Sequence, residues 1–283
     1  MTSLEFQSSR GSTFHSGLKQ TQQNCPLATI PISPTSRSSQ QQHAFIATAK
    51  QHLFQNVQPS FFAEIELLIL TLCTGMQDAI SFPDYHCFAS NQTGNTVLLS
   101  TALILPSLDS AAFSTTNTAI SLCLFLAGAY STGQISHLVG PRRRLWLILC
   151  NALQTLLVTV AAALQYIHGA QPHSLALLAF ASGSQVVQSR SLRMTEISTA
   201  MATAAWVDLV IDSRLMALRE GNRPRNRRLA FLVALVAGTL LGAGIYRTAG
   251  SAVAIFVSAG GKAVVTGMFF FNEAEREKQQ EAV

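Results

Sequence analysis

Charge is what this sequence has least of. Asp, Glu, Lys and Arg together make up 12% of its 283 residues, about half the share found in an ordinary soluble domain. So little charge cannot cover a water-facing surface, which excludes a conventional soluble globule for most of the chain. Catalytic and metal signatures are absent too. The five cysteines, Cys25, Cys73, Cys87, Cys123 and Cys150, form no C-x-x-C pair. They mostly lie in or beside apolar runs, where a thiol acts as a small buried hydrophobe. No G-x-S-x-G, H-E-x-x-H or dinucleotide glycine fingerprint occurs, so enzyme chemistry has no visible carrier and no cofactor is indicated. Asp84, His86 and Cys87 crowd three ligand types into four residues without helical or C-x-x-C spacing, which argues against a metal. The net charge of +5 would suit nucleic acid, but the arginines cluster beside apolar segments and form no basic stripe on a soluble module.

What is present divides into a tail and a membrane domain. Residues 1–60 are rich in Ser, Gln, Thr and Pro, including PISP and SSQQQ, and hold too little apolar surface to offset chain entropy. We expect a disordered polar tail there, a polytopic helical membrane domain over 61–271, and a short charged tail over 272–283. The opening MTSLEFQ lacks the apolar stretch of a secretory signal.

Eight apolar segments follow, at about 61–82, 88–106, 115–138, 145–168, 173–189, 195–213, 229–247 and 250–271. Several reach the roughly 20 residues that span a bilayer, whereas the second, fifth and sixth are shorter or interrupted by polar residues. Arg142, Arg143 and Arg144 follow the third segment, and Arg214, Arg219, Arg223, Arg225, Arg227 and Arg228 follow the sixth. The positive-inside rule places both clusters in the cytoplasm. Eight full crossings would put them on opposite sides. The conflict disappears if segments one and two make one net crossing and segments five and six another. The expectation is an all-α membrane protein with about six net crossings and both termini cytoplasmic.

The two composite crossings also resemble each other. Thr74-Gly75-Met76-Gln77 matches Ser182-Gly183-Ser184-Gln185 at a spacing of 108, Ser81 matches Ser189, and Thr93-Gly94 matches Thr203-Ala204 after a two-residue slip. These thin identities predict two inverted repeats, an arrangement common in secondary transporters, whose sites form where broken helices meet.

Three elements carry a resemblance to a known family: Gly75-x-x-Asp78-Ala79, Gln92-Thr93-Gly94-Asn95, and Gly183-x-Gln185 ahead of Thr199 and Thr203. On these, over about residues 67–271, the chain resembles the YoaK family, polytopic membrane proteins of bacteria and fungi that largely lack an assigned function. The resemblance implies a membrane location and an internal repeat; it implies no substrate. Ala204 stands where the family favours glycine in the second Thr-Gly.

The candidate site residues are the polar and small ones that interrupt the apolar background: Gly75, Gln77, Asp78, Gln92, Thr93, Gly94, Asn95, Gly183, Gln185, Thr203 and Lys262. Asp78, in an otherwise apolar segment, serves either as a cation or proton site or as a hydrogen-bond hub between helices. Asn91 to Asn95 read as the start of a half-helix whose N–H groups could receive a solute, against the alternative of ordinary N-capping. Lys262 lies too deep to snorkel and needs a partner; Asp78, Asp208 and Glu196 are the available acids. Arg190, Arg193 and Glu196 have helical spacing and read as a surface pair. Beyond the lipid bilayer, the expected partner is a small solute or ion handled by a carrier or channel. The rivals are a scaffold in which these residues only knit helices together, and a membrane-embedded enzyme using Asp78 or His86. A cavity where the two polar breaks converge discriminates among them.

Overall fold

A computed structural model describes residues 50–109, 112–216 and 221–275. Eight helices follow the eight apolar segments: α1 (Phe61–Tyr85), α2 (Gln92–Ile104), α3 (Thr115–Val139), α4 (Arg144–His168), α5 (Pro172–Ser191), α6 (Ala202–Val210), α7 (Arg223–Ala249) and α8 (Ser251–Met268). Five of them, α1, α3, α4, α7 and α8, are long and apolar enough to cross a membrane. The chain is therefore a multi-pass membrane protein.

Local chemistry sets the helix ends. The hydroxyl oxygen of Ser60 accepts from the Ala63 N–H at 3.3 Å to start α1, Asn91 caps α2 through the Gly94 N–H, and Asn222 caps α7 through the Arg225 N–H. Each supplies an oxygen to first-turn donors that otherwise lack partners. Pro172 opens α5, where its missing N–H costs nothing. Gly169 (φ 72°) and Gly250 (φ 89°) stop α4 and α7 in the left-handed region that favours glycine.

The six longer helices alternate in direction between two ends of the bundle. At one end, Val57 N–H donates to the Arg142 carbonyl at 2.9 Å and Gln58 N–H to the Glu273 carbonyl at 3.0 Å. There too, Gln188 of α5 donates to the Leu147 carbonyl of α4, and Glu64 of α1 pairs with Arg223 and Arg227 of α7. Both arginine clusters thus meet the start of α1. At the opposite end, Gln165 of α4 donates to Asp84 at 2.6 Å and to Ser251 at 3.0 Å, Tyr246 of α7 donates to Asp84, and Asn117 of α3 donates to the Tyr85 carbonyl.

Residues 50–58, assigned to the polar tail from sequence, pack onto this first end. Fully buried Arg144 donates to the carbonyls of His52 and Asn272, and Asn272 donates to both oxygens of buried Glu66 at 2.8 and 2.9 Å. The remainder of the expected N-terminal tail, 1–49, and residues 276–283 lie outside the described residues.

Helix packing relies on small residues, as expected where lipid supplies no hydrophobic contrast between helices. The most extensive contacts join α3 to α5 and α1 to α7, followed by α4 to α8, then α4 to α5 and α1 to α8. A Cβ at Gly128 of α3 would stand 2.9 Å from the Phe180 carbonyl carbon of α5, and one at Gly238 of α7 would stand 2.8 Å from that of Leu72 in α1. At both places the helices touch through backbone.

Candidate functional site

The first break begins where His86 (φ 55°) caps α1 with its N–H on the Phe82 carbonyl. From there the chain turns back along α1. The Ala89 N–H donates to the Ser81 hydroxyl oxygen at 3.1 Å. The Ser90 N–H donates to Asp78 Oδ1 at 2.9 Å, and the Ser90 hydroxyl to Oδ2 at 2.5 Å. The start of α2 is thus pinned beside Asp78, partway along α1. A carboxylate that receives both donors of one residue is held in orientation as well as in place. Among the described residues no cation stands within ion-pair distance of Asp78, whose two carboxylate bonds both come from Ser90.

The second break runs from Leu192, which ends α5, to Met201, which precedes α6. Arg193 (φ 56°) and Thr199 (φ 59°) both adopt the left-handed conformation, uncommon for side-chain-bearing residues. α5 stops at Ser191, so Arg190, Arg193 and Glu196 do not share a helix, and the expected surface pairing is corrected. Glu196 lies 3.4 Å from Arg227 of α7, while Arg190 reaches the sulfur of Met201.

The two breaks line one cavity of about 870 Å³, with Asp78, Ser90, Gln92, Thr93 and Gly94 on one wall and Met201, Thr203 and Ala204 on the other. Phe125 of α3 and Leu235 of α7 complete it, and Arg190 and Asp208 lie toward its outer part. A second space of about 310 Å³ adjoins it, sharing Arg190 and Asp208 and adding Glu196 and Arg228. Beyond α6, Asp212 is held below the usual carboxylate range by the Arg214 N–H and by the Asn222 amide.

Of the candidates, Asp78, Gln92, Thr93, Gly94 and Thr203 therefore share the cavity. The other six lie elsewhere. Asn95 is fully buried behind the wall, where its amide joins the Phe88 N–H and carbonyl to Ser121 of α3. A Cβ at Gly75 would stand 2.9 Å from the Thr239 nitrogen of α7, and one at Gly183 would stand 2.9 Å from the Phe125 carbonyl carbon of α3. Gln77 donates to Ser258 of α8 at 2.7 Å. Gln185 donates to Thr74 at 2.8 Å and to the Leu70 carbonyl.

Lys262 is fully buried, and its ammonium donates to the amide oxygens of Gln185 and, at 3.4 Å, Gln154. The acid partner expected from sequence is replaced by two amides. Asp208 lies 3.6 Å from Arg228, Glu196 is near Arg227, and Asp78 faces Ser90. Gln154 also donates to Gln188 and Ser184, so Lys262 closes a polar net across α1, α4, α5 and α8.

The geometry missed from sequence is the role of Ser90, Arg190 and Asp208. Ser90 directly precedes the polar run Asn91 to Asn95, and nothing in the sequence marks it as the residue facing Asp78. Asp84, His86 and Cys87 do not converge: Asp84 receives Gln165 and Tyr246, and among the described residues no three His, Cys, Asp or Glu side chains gather as metal ligands.

Bundle and cavity define a class, a multi-pass helical membrane protein with two helix breaks opening on a common interior space. Within that class, residues 67–268, more than half of the chain, match the family described as "Protein of unknown function (DUF1275)", and the chain belongs to that family. No curated protein and no solved structure matches it.

Proposed function

We propose that this protein is a carrier or channel for a small solute or ion, built from two inverted halves. The first half is α1 to α4, the second α5 to α8, each making three net crossings. Six crossings result, with both termini on the cytoplasmic side.

Pairing α1 with α5, α2 with α6, α3 with α7 and α4 with α8 supports the repeat, because the contacts obey the exchange. α3 on α5 corresponds to α7 on α1, α4 on α5 to α8 on α1, and α4 on α8 to itself. The glycine approaches follow the same offsets: Gly128 and Phe180 map onto Gly238 and Leu72, shifted by 110 and 108 residues. The charge rule supports the orientation, since both arginine clusters meet the start of α1 and Lys and Arg favour cytoplasmic loops.

The observation that carries the functional reading is the shared cavity. Its volume of about 870 Å³ falls in the range of small-molecule sites. Polar backbone breaks persist in a membrane where they line such a space. A scaffold needs hydrogen-bonded helices but no cavity between its breaks.

Accessibility of the cavity tests the proposal. Thr93→Cys and Thr203→Cys, in chains whose own cysteines are replaced, should react with a membrane-impermeant thiol reagent applied from either face of vesicles. Reaction from neither face would support the scaffold, and a solute pathway would then have to be abandoned.

A further inference from the structure

The cavity is chemically lopsided, and this selects among solutes. Resting on the carrier reading, we propose that its ligand is a small organic cation, an amine with an apolar body, whose charged head docks on Asp78.

The cavity wall contributed by the second half repeats the first at fixed offsets with most of its polarity removed, although Thr203 keeps the hydroxyl of Thr93. Asp78 corresponds to Val186 at 108 residues, and Ser90, Asn91 and Gln92 correspond to Ala200, Met201 and Ala202 at 110. A backbone built for one shape therefore presents a carboxylate, hydroxyls and amides on one side and mainly aliphatic groups on the other. A wholly polar solute would leave the aliphatic wall badly solvated. A wholly apolar one would leave Asp78 and its neighbours without partners, which costs more than a mismatched methyl group. An amphipathic ligand satisfies both walls.

The sign of its charge follows from depth. Gln185 of α5 bonds Leu70 and Thr74 of α1, which sets the antiparallel register. By helical rise, Arg190 then lies roughly 16 Å along the bundle from Asp78. Arg190 is exposed and shares its part of the wall with Asp208, itself beside Arg228. In that wetter, mixed-sign region a guanidinium acts weakly on a ligand. Asp78 is partly buried, faces the interior and has no ion-pair partner among the described residues. The two Ser90 donors hold it in place while leaving carboxylate lone pairs toward the cavity. The deep charge that lines the cavity is negative, since buried Lys262 lies outside its lining. A bare metal ion fits less well, because among the described residues Asp78 is the single carboxylate in the deep part of the cavity and the volume far exceeds one ion's ligand shell.

The test uses the full chain in detergent and four probes: n-butylammonium, methylammonium, butyrate and n-butanol. Thermal unfolding is followed by the fluorescence of Trp146 and Trp206. n-Butylammonium should raise Tm saturably and half-saturate about tenfold below methylammonium or butanol. Asp78→Asn should lose the rise, and Ala204→Phe on the opposite wall should bring butylammonium down to the level of methylammonium. An equal or larger rise with butyrate would overturn the proposal in favour of an anion held at Arg190. So would an equal rise with butanol, no saturable rise with butylammonium in the unaltered chain, or a full rise in Asp78→Asn. Any of these outcomes removes the cation while leaving the carrier reading to the cysteine accessibility of Thr93 and Thr203. If butylammonium binds and those positions stay inaccessible, the site is kept and transport is lost.

Discussion

Asp78 grips Ser90 by both of that residue's donors, the N–H at 2.9 Å and the hydroxyl at 2.5 Å. Together with the Ala89 N–H on the Ser81 hydroxyl, this pair holds the chain folded back along α1 and places the start of α2 at the cavity. The same carboxylate is therefore a structural clasp and, on the proposed reading, the charge that faces a solute.

The two roles separate on substitution. Asp78→Asn is nearly isosteric and still accepts one Ser90 donor, while the Ser90 hydroxyl can rotate to accept from the new amide. It should cost about 1–2 kcal/mol of stability, leave membrane levels intact, and abolish solute binding. Ser90→Ala removes one donor and keeps the charge, so it should weaken binding less than Asp78→Asn at similar stability. Equal binding by unaltered chain and Asp78→Asn would reduce Asp78 to the clasp alone.

Backbone contact between helices gives a second expectation. Gly128→Ala and Gly238→Ala each push a methyl group against a carbonyl of the facing helix, an overpacking that typically costs about 1–3 kcal/mol. Gly133, on the same helix as Gly128, would meet nothing within 4 Å. Gly133→Ala should be neutral or slightly stabilising, because alanine favours helix by up to about 1 kcal/mol. Thermal unfolding of the three variants decides; equal losses in all would mean that helix flexibility, not contact, is being measured.

The helices were legible in the sequence because apolar length is a strong signal, and all eight segments contain a helix, although the sixth, expected over 195–213, is helical only over Ala202–Val210 and the seventh starts six residues early, at Arg223. The breaks were legible for a related reason: polar strings such as Ser90 to Asn95 stand out against lipid-compatible sequence. What lies behind the breaks was not. Gly75 and Gly183 look like site residues in a sequence, yet they are where helices touch, since glycine marks close approach as readily as a ligand. Arg190, Arg193 and Glu196 gave a false helical spacing because two left-handed residues between 192 and 201 cannot be seen in the sequence. Glu66, Arg144 and Asn272 meet across more than 200 residues, a distance no local pattern spans.

Topology can be checked from both sides of the membrane. Arg143→Cys and Gly221→Cys, both at exposed positions near the arginine clusters, should be labelled by an impermeant reagent from one face, and Gln171→Cys, in the connection before α5, from the other. Labelling of positions 143 and 221 from opposite faces would restore eight full crossings and remove the inverted repeat.

Lys262 is the last test, because it asks whether a buried ammonium can be held by amides alone. The cost of keeping a charge in the bundle is large, and its partners Gln185 and Gln154 belong to the two helices on either side. Lys262→Met removes the charge but strands two amide oxygens, so it should destabilise the protein. Gln185→Leu strands the ammonium and breaks the bond to Thr74, and should destabilise it as well. In the double variant neither the ammonium nor the Gln185 oxygen is stranded and only the Gln154 oxygen is left without its donor, so the losses should fall short of their sum by about 0.5–3 kcal/mol, the coupling expected of direct partners. Unfolding of the two single variants and the double variant in one detergent measures that term. Strict additivity would show that Lys262 is stabilised by something other than Gln185, and the net across α4, α5 and α8 would have to be redrawn.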